Sequence, residues 1–590
     1  MFSRNSATDR FFGLKAFAVF LLAVLFFSWG TGNTSLWDID EPIYAQSLKD
    51  QIAQHNLVVP TFNARLMPDK PALNYWLMWT GVKMLGMNSW GLRIGSAVVG
   101  ALLILYLIMA LRRLYGENIA LISGLLTATA LHSTVIFRGA TPDPLLILTV
   151  TIALLSYLRA YLFPDIRNRE LLIAYAAMAF ATLDKGPIGF LLPGLIIVLF
   201  LLLRRDLSFL WREGRLALGV PIFLIITLPW YLAVGVETHW AWDRAFIFKQ
   251  NIGRFSDSMQ GHRGPWVYYL LSTFLGMLPW SIFLPQTFRD IWASRQHFLH
   301  RQPKTLFLLV WGTAWIGFFT LSATKLPNYV WEAYPPLFIL LAAYFEKVRA
   351  GASRPARWGL VLSLGVLFLI LLSLIIFAGW IVPRVEPRLP NMVEIGVPYL
   401  LAAGIAGALL WHQRWAQAWV TLGIGGVALT ALLVFVIIPP FNGVKPSREM
   451  GQRIAALQGQ QPYRQRQMCI RDSLIGWLPG NGFSRIFCSM PGVATCPFTI
   501  CRRWRSCQRY SVQNRFISSA RKTPLPQSVP PCPQHTSSRP SCCAMRSITT
   551  KTSPCCRLAR ARKILTMPSR LTNISKICGD GVRPITAFIG

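Results

Sequence analysis

The stretch LWDIDEPIYA, Leu36 to Ala45, places Asp38, Asp40 and Glu41 within four positions, flanked by Trp37 and Tyr44. A second stretch, DKPALNYWL from Asp69 to Leu77, sets a carboxylate beside an ammonium at Asp69-Lys70. Arg138 stands five residues before Asp143 in the run TPDP, and LDKGP (Leu183 to Pro187) gives another Asp-Lys pair. HRGPW brings His262, and ATKLPNYVWEAYPPL brings Lys325, Asn328 and Tyr329. A carboxylate can take a proton from an acceptor, and Lys or Arg can neutralise a leaving phosphate. The set therefore suits transfer from a phosphate-bearing donor to an acceptor that loses a proton. Each member has a plainer reading. Asp40 can cap a helix and Glu41 can favour its dipole. Lys70 can snorkel to the membrane surface.

Those residues have to be held by elements, and the elements are membrane spans. Of 590 residues 53% are hydrophobic and 14% charged, against about 25% charged in soluble domains. Apolar runs such as Phe17 to Trp29, Leu102 to Leu111 and Leu360 to Trp380 end at basic clusters or Pro/Gly turns. About thirteen segments approach the ~20 residues that cross a bilayer. The expected class is an all-α polytopic membrane protein. Arg4, Arg10 and Lys15 put the N-terminus inside, and Arg112-Arg113, Arg167, Arg204-Arg205 and Lys347 fall on the same side. The first loop, residues 31–90, then faces outward, with Arg138 to Asp143, Asp184-Lys185, residues 235–265 and Ser322 to Tyr329. The apolar positions Ile43, Ala45, Leu48 and Ile52 predict a short interfacial helix beginning beside Asp40 and Glu41. A further amphipathic stretch runs from Leu73 to Lys83.

In this order and on these sides, the DE pair, DKPALNYW, R-x4-D, LDKGP, HRGPWVYY and KLPNYVWEAYP resemble bacterial GT-C glycosyltransferases. The family is the protein-mannosyltransferase-like superfamily (family 39), and the nearest branch is the aminoarabinose (undecaprenyl-phosphate-aminoarabinose:lipid A) transferases. The resemblance covers roughly residues 10–450. It implies a GT-C fold of about thirteen transmembrane helices with two outward juxtamembrane helices in the first loop. It also implies inverting transfer from a polyprenyl-phosphate sugar to a lipid, glycan or protein acceptor, at the periplasmic face of a bacterial inner membrane. By motif, Asp40 is the implied base or acceptor-positioning carboxylate, with Glu41 supporting it. Lys70 and Arg138 would hold phosphate, Lys325 would be a further phosphate contact, and Asp143 would orient the sugar or Lys70. Asp69 and His262 match positions that hold a divalent metal ion in the aminoarabinose branch, although the shorter Asp stands where relatives carry Glu. The second proline of the KPPL pattern is absent, and the family's periplasmic C-terminal domain would survive only as a stub at 439–463.

The alternative reading is a transporter or flippase of lipid-linked sugars. That class favours ionisable groups at the bilayer midplane and internal repeats, whereas here the charges gather at one face. A structural partner in an envelope complex would explain the spans but not the six motifs. The net charge of +35 is not a nucleic-acid signal. From Arg464 onward lie 21 of the 59 basic residues and 2 of the 24 acidic ones. All eleven cysteines lie from Cys469 onward. The run QMCIRDS, Gln467 to Ser473, resembles translated sequencing-adapter DNA, and the segment 464–590 reads as an out-of-frame tail with no domain. It lacks paired CxxC or His spacing for zinc. The first 438 residues are expected to form the catalytic domain.

Overall fold

The computed structural model describes residues 6–37, 40–253, 264–293, 302–385, 389, 396–437 and 439–440. The expectations for His262, for the stub 439–463 from Phe441 onward and for the tail 464–590 lie outside the described residues. The described residues all belong to the first of two units, Met1–Leu478.

The chain opens with α1 (Ser6–Ser28), followed by α2 (Asp40–Ala53), a two-stranded antiparallel hairpin of β1 (Thr61–Phe62) and β2 (Arg65–Leu66), and α3 (Leu73–Leu85). Next come α4 (Ser89–Tyr115), α5 (Glu117–Thr129), α6 (Leu131–Ile136), α7 (Asp143–Leu162), α8 (Arg167–Lys185) and α9 (Ile188–Arg204). The remainder comprises α10 (Phe209–Arg212), α11 (Leu216–Glu237), α12 (Ala241–Arg244), α13 (Tyr268–Gly276), α14 (Leu284–Ala293) and α15 (Pro303–Leu321). It ends with α16 (Tyr334–Arg349), α17 (Arg357–Ile376), α18 (Val382–Val385), α19 (Val397–Trp411) and α20 (Trp415–Leu432).

Among the described residues seven helices are long and apolar enough to cross a membrane, or eight if the bent pair Tyr268–Gly276 and Trp280–Ala293 forms one span. The helices α9 and α19 are apolar but shorter. Other apolar runs fold as shorter or broken helices. The helical class itself holds, with α2 and α3 as the two helices of the first loop. Large apolar side chains remain uncovered on the outer helices, such as Leu362 at 70% exposure and Ile225 at 71%. Water would not tolerate such surfaces on a monomer, whereas lipid tails cover them.

The long helix α4 joins the two ends of the bundle. Asn88 caps it by accepting the Gly91 amide at 2.9 Å, and Arg112 and Arg113 occupy its last turn, where cations favour the dipole. At that far end Arg113 pairs with Asp165 at 2.7 Å. The near end carries the first loop. There α3 approaches α4 so closely that a Cβ on Gly81 would lie 2.2 Å from the Gly91 carbonyl oxygen. Three indoles pin the segment between α2 and α3. Trp76, Trp230 and Trp242 donate to the carbonyls of Leu57, Val58 and Met67 at 3.0, 3.0 and 3.1 Å. These tryptophans bury their rings and use the one N–H to fix a loop that has little secondary structure.

Candidate active site

Glycine ends α8 one residue after Lys185. Gly186 has φ +88°, and a Cβ there would lie 2.4 Å from the Phe246 ring. Only glycine meets both constraints without strain. The stop aims Lys185 at the start of α7, where its Nζ sits 2.5 Å from Asp143 Oδ1. Asn328, in the 3-10 turn Pro327–Ala333, donates to Asp143 Oδ2 at 2.8 Å. Both oxygens of this buried carboxylate are thereby satisfied. Gly186→Ala is expected to lower stability by about 1–3 kcal/mol, read as a fall in melting temperature in detergent. An unchanged melting point would mean that the turn relaxes freely.

The first loop brings its own groups to this end. The helix α2 begins at Asp40, as the apolar spacing predicts, with Asp40 and Glu41 in its first turn. The two carboxylates have different surroundings. Asp40 is exposed. Glu41 is 2% exposed and sits in a fork of Arg93, with Nε 2.8 Å from Oε1 and Nη2 2.6 Å from Oε2. It also accepts the Ala140 amide at 2.6 Å and the Trp37 amide. The same guanidinium donates to the carbonyls of Thr31, Thr34 and Ser35 and to the Thr34 hydroxyl. Glu41 therefore holds the start of α2 against α4 and against the loop leading to Asp143. Its place is that of a positioning residue.

Tyr44, one helical turn after Asp40, donates to Asp69 Oδ2 at 3.2 Å. Burial, and then Asp69, Asp40, Tyr75 and Asp143, push its phenol well above the usual range, so it stays protonated and a donor. The tyrosine is thus the common neighbour of three of the predicted carboxylates. Lys70 Nζ lies 3.3 Å from Asp69 Oδ1 and within electrostatic reach of Asp143. Asp40, Asp69, Lys70 and Asp143 therefore gather at one end of the bundle.

Two predicted phosphate ligands point elsewhere. Arg138 donates to the carbonyls of Phe26 and Trp29 at the end of α1. Lys325 donates to the carbonyls of Thr320 and Ser322 at 2.9 Å, closing α15, and lies 5.3 Å from the Tyr269 ring centroid. Both satisfy helix C-termini, a favoured place for cations. Asp69, one of the two expected metal ligands, is engaged on both oxygens. One of its oxygens faces the Lys70 ammonium and the other accepts from Tyr44. No group of three or more His, Cys, Asp or Glu stands ready to hold a metal among the described residues. His262, the other expected ligand, lies outside the described residues.

Sequence reasoning did not single out Arg93, and it named Lys185, Asn328 and Tyr44 without giving any of them a role. Lys185 and Asn328 sit in the motifs LDKGP and KLPNY, which marked them without a partner. Tyr44 could have been found from its four-residue spacing to Asp40, which puts both on one helical face.

Known proteins share this arrangement of helices. The family profile described as dolichyl-phosphate-mannose-protein mannosyltransferase matches residues 69–232. The undecaprenyl phosphate-alpha-4-amino-4-deoxy-L-arabinose arabinosyl transferase of Pseudomonas aeruginosa strain LESB58 is 32% identical over 430 residues, covering 71% of this chain and 74% of the relative. A second such transferase, from Pseudomonas fluorescens strain Pf-5, is 30% identical over 440 residues, covering 71% and 72%. The crystal structure of ArnT from Cupriavidus metallidurans bound to undecaprenyl phosphate superposes with a TM-score of 0.63 at 24% identity, covering 79% of this chain and 85% of that one. At that identity the likeness is one of fold, and the fold is GT-C.

Proposed function

The chain belongs to the undecaprenyl phosphate-4-amino-4-deoxy-L-arabinose arabinosyl transferase family of integral membrane glycosyltransferases, and from that premise we propose that it moves an aminopentose from a polyprenyl-phosphate donor to an acceptor of the cell envelope. The acceptor is a lipid A-like lipid, with a glycan or protein as the other chemical classes, and the active site faces the periplasm from the inner membrane. The observation that carries the reading is the gathering of exposed Asp40 with Lys70, Asp69 and Tyr44, beside the Asp143–Lys185 pair. The names of the relatives support the choice of donor.

In this reading the acceptor oxygen attacks the anomeric carbon from the side opposite the phosphate, so configuration inverts. The bond between that carbon and the phosphate oxygen breaks, and its electron pair leaves with the polyprenyl phosphate. Lys70 neutralises the charge that grows on the phosphate, a preorganised electrostatic contribution in a poorly solvated site. A hydroxyl acceptor gives its proton to Asp40. The Asp143–Lys185–Asn328 unit fixes the floor of the site and keeps Lys70 in a negative surrounding. Arg138 and Lys325 enter as rim cations whose field favours an anionic donor.

The test is transfer in proteoliposomes from a synthetic polyprenyl-phosphate aminopentose to lipid A, read by mass spectrometry. Lys70→Ala is expected to lower kcat/KM for the donor about 100-fold while the melting temperature stays near that of the parent. Unchanged donor affinity and turnover would remove the phosphate role from Lys70.

A further inference from the structure

The end of the bundle away from the candidate site carries a turn that the transfer chemistry does not use. The helix α9 starts just after Lys185, and residues 205–215 join its far end to α11. Arg205 ends α9 in the left-handed region, φ 55°, where glycine is the usual residue. Both acids of the turn are engaged inward. Asp206 accepts from the Tyr161 hydroxyl at 3.0 Å, and Glu213 pairs with Arg167. Phe209 is buried against Tyr161, with ring centroids 4.9 Å apart, and the Gly214 carbonyl accepts from the Tyr175 hydroxyl at 2.6 Å. The turn is thereby fixed to α7 and α8.

Its outward side is cationic and apolar. Arg205 and Arg212 are exposed, and neither makes a hydrogen bond or ion pair among the described residues. Between them in the chain, Trp211 is 76% exposed. Leu202 and Leu203 before the turn and Leu218 after it are exposed as well, on apolar helices whose outer faces meet lipid tails. The turn therefore lies where hydrocarbon gives way to water, the level at which tryptophan is favoured. Two guanidinium groups without a counter-charge at that level suit phosphate, which a planar fork binds through paired hydrogen bonds.

We propose that the turn 205–215 is a binding site for an anionic phospholipid, with Arg205 and Arg212 meeting headgroup phosphate and Trp211 seated in the interface beside it. The occupant is a lipid of the bilayer, because the exposed leucines on both sides of the turn set acyl chains directly next to it. A zwitterionic lipid also carries phosphate, but its own ammonium offsets the charge. Affinity should therefore follow the net charge of the headgroup. The length of α9 separates this site from Lys185, so the proposal does not depend on which sugar is transferred.

The experiment adds dioleoyl phosphatidylglycerol or dioleoyl phosphatidylcholine to the full chain in detergent. Melting temperature and the lipid retained in native mass spectra are read. Each arginine near an anionic lipid surface contributes about fivefold to affinity, so the parent should retain phosphatidylglycerol about 25-fold more tightly than phosphatidylcholine. Arg205→Gln/Arg212→Gln should remove that preference while melting with the parent in phosphatidylcholine alone. A preference that survives, or a lower melting point in phosphatidylcholine, overturns the proposal. The control Arg354→Gln/Arg414→Gln takes two other exposed arginines from turns at the same end, and should keep the preference. Equal loss in the control would mean diffuse charge instead of a site, and overturns the proposal. Trp211→Ala should weaken retention of both lipids; unchanged retention removes the indole from the site. Inorganic phosphate that stabilises the parent as much as phosphatidylglycerol does overturns the lipid assignment.

Discussion

Replacing Arg93 by glutamine is expected to destabilise the protein by about 3–5 kcal/mol and to abolish sugar transfer. The pair with Glu41 is 4% and 3% exposed by side chain. Removing the guanidinium leaves a carboxylate buried with two backbone amides and no counter-charge, the circumstance in which a broken ion pair is most damaging. The carbonyls of Thr31 and Ser35 also lose their donor, and with them the connection between α1 and α2. Arg93→Lys should recover only part of the loss, because one ammonium cannot reproduce a planar fork serving a carboxylate and three carbonyls. The measurement is melting temperature in detergent together with transfer activity. The double variant Glu41→Gln/Arg93→Gln should be more stable than Arg93→Gln alone, since no buried charge is then stranded. It should stay inactive, because the start of α2, and Asp40 with it, is no longer tied to α4. An Arg93→Gln protein that melts with the parent would show that the pair contributes nothing.

The first loop was the most legible part of this chain. The apolar spacing after Pro42 fixed α2, and the acidic pair at its start agreed with the helix dipole. The stretch Leu73 to Lys83 likewise became α3. Local signals of this kind are written within one or two turns. The contacts across the site were not legible. Asp143 meets Lys185 across 42 positions and Asn328 across 185. Each motif announced an ionisable group, and none could announce its partner. Arg93 stands in no motif, and nothing near it in sequence points to Glu41, which lies 52 positions away. Arg138 and Lys325 show the converse limit. Their long side chains can turn toward a ligand or back onto a helix end, and sequence gives no direction. The structure turns both onto carbonyls left without partners by α1 and α15. Hydropathy likewise marks apolar runs but not where a helix breaks, such as the bend of 111° between Tyr268–Gly276 and Trp280–Ala293.

Asp40→Asn separates the possible acceptors. With a hydroxyl acceptor the carboxylate must take a proton as the new bond forms, and its loss is expected to lower kcat about 100- to 10,000-fold. A phosphate monoester has a second pKa near 6, so at pH 7.5 its oxygen is already ionised and needs no base. For such an acceptor the same substitution should lower kcat less than about tenfold, because only positioning is lost while repulsion from a carboxylate is relieved. The exposed placement of Asp40 permits this comparison, since an isosteric amide there strands no buried charge. Both acceptors are assayed on one preparation, with melting temperature as the control for folding. Near-equal losses on the two would make Asp40 a donor-binding group instead of a base. Full activity toward the hydroxyl acceptor would leave the proton to depart with the phosphate.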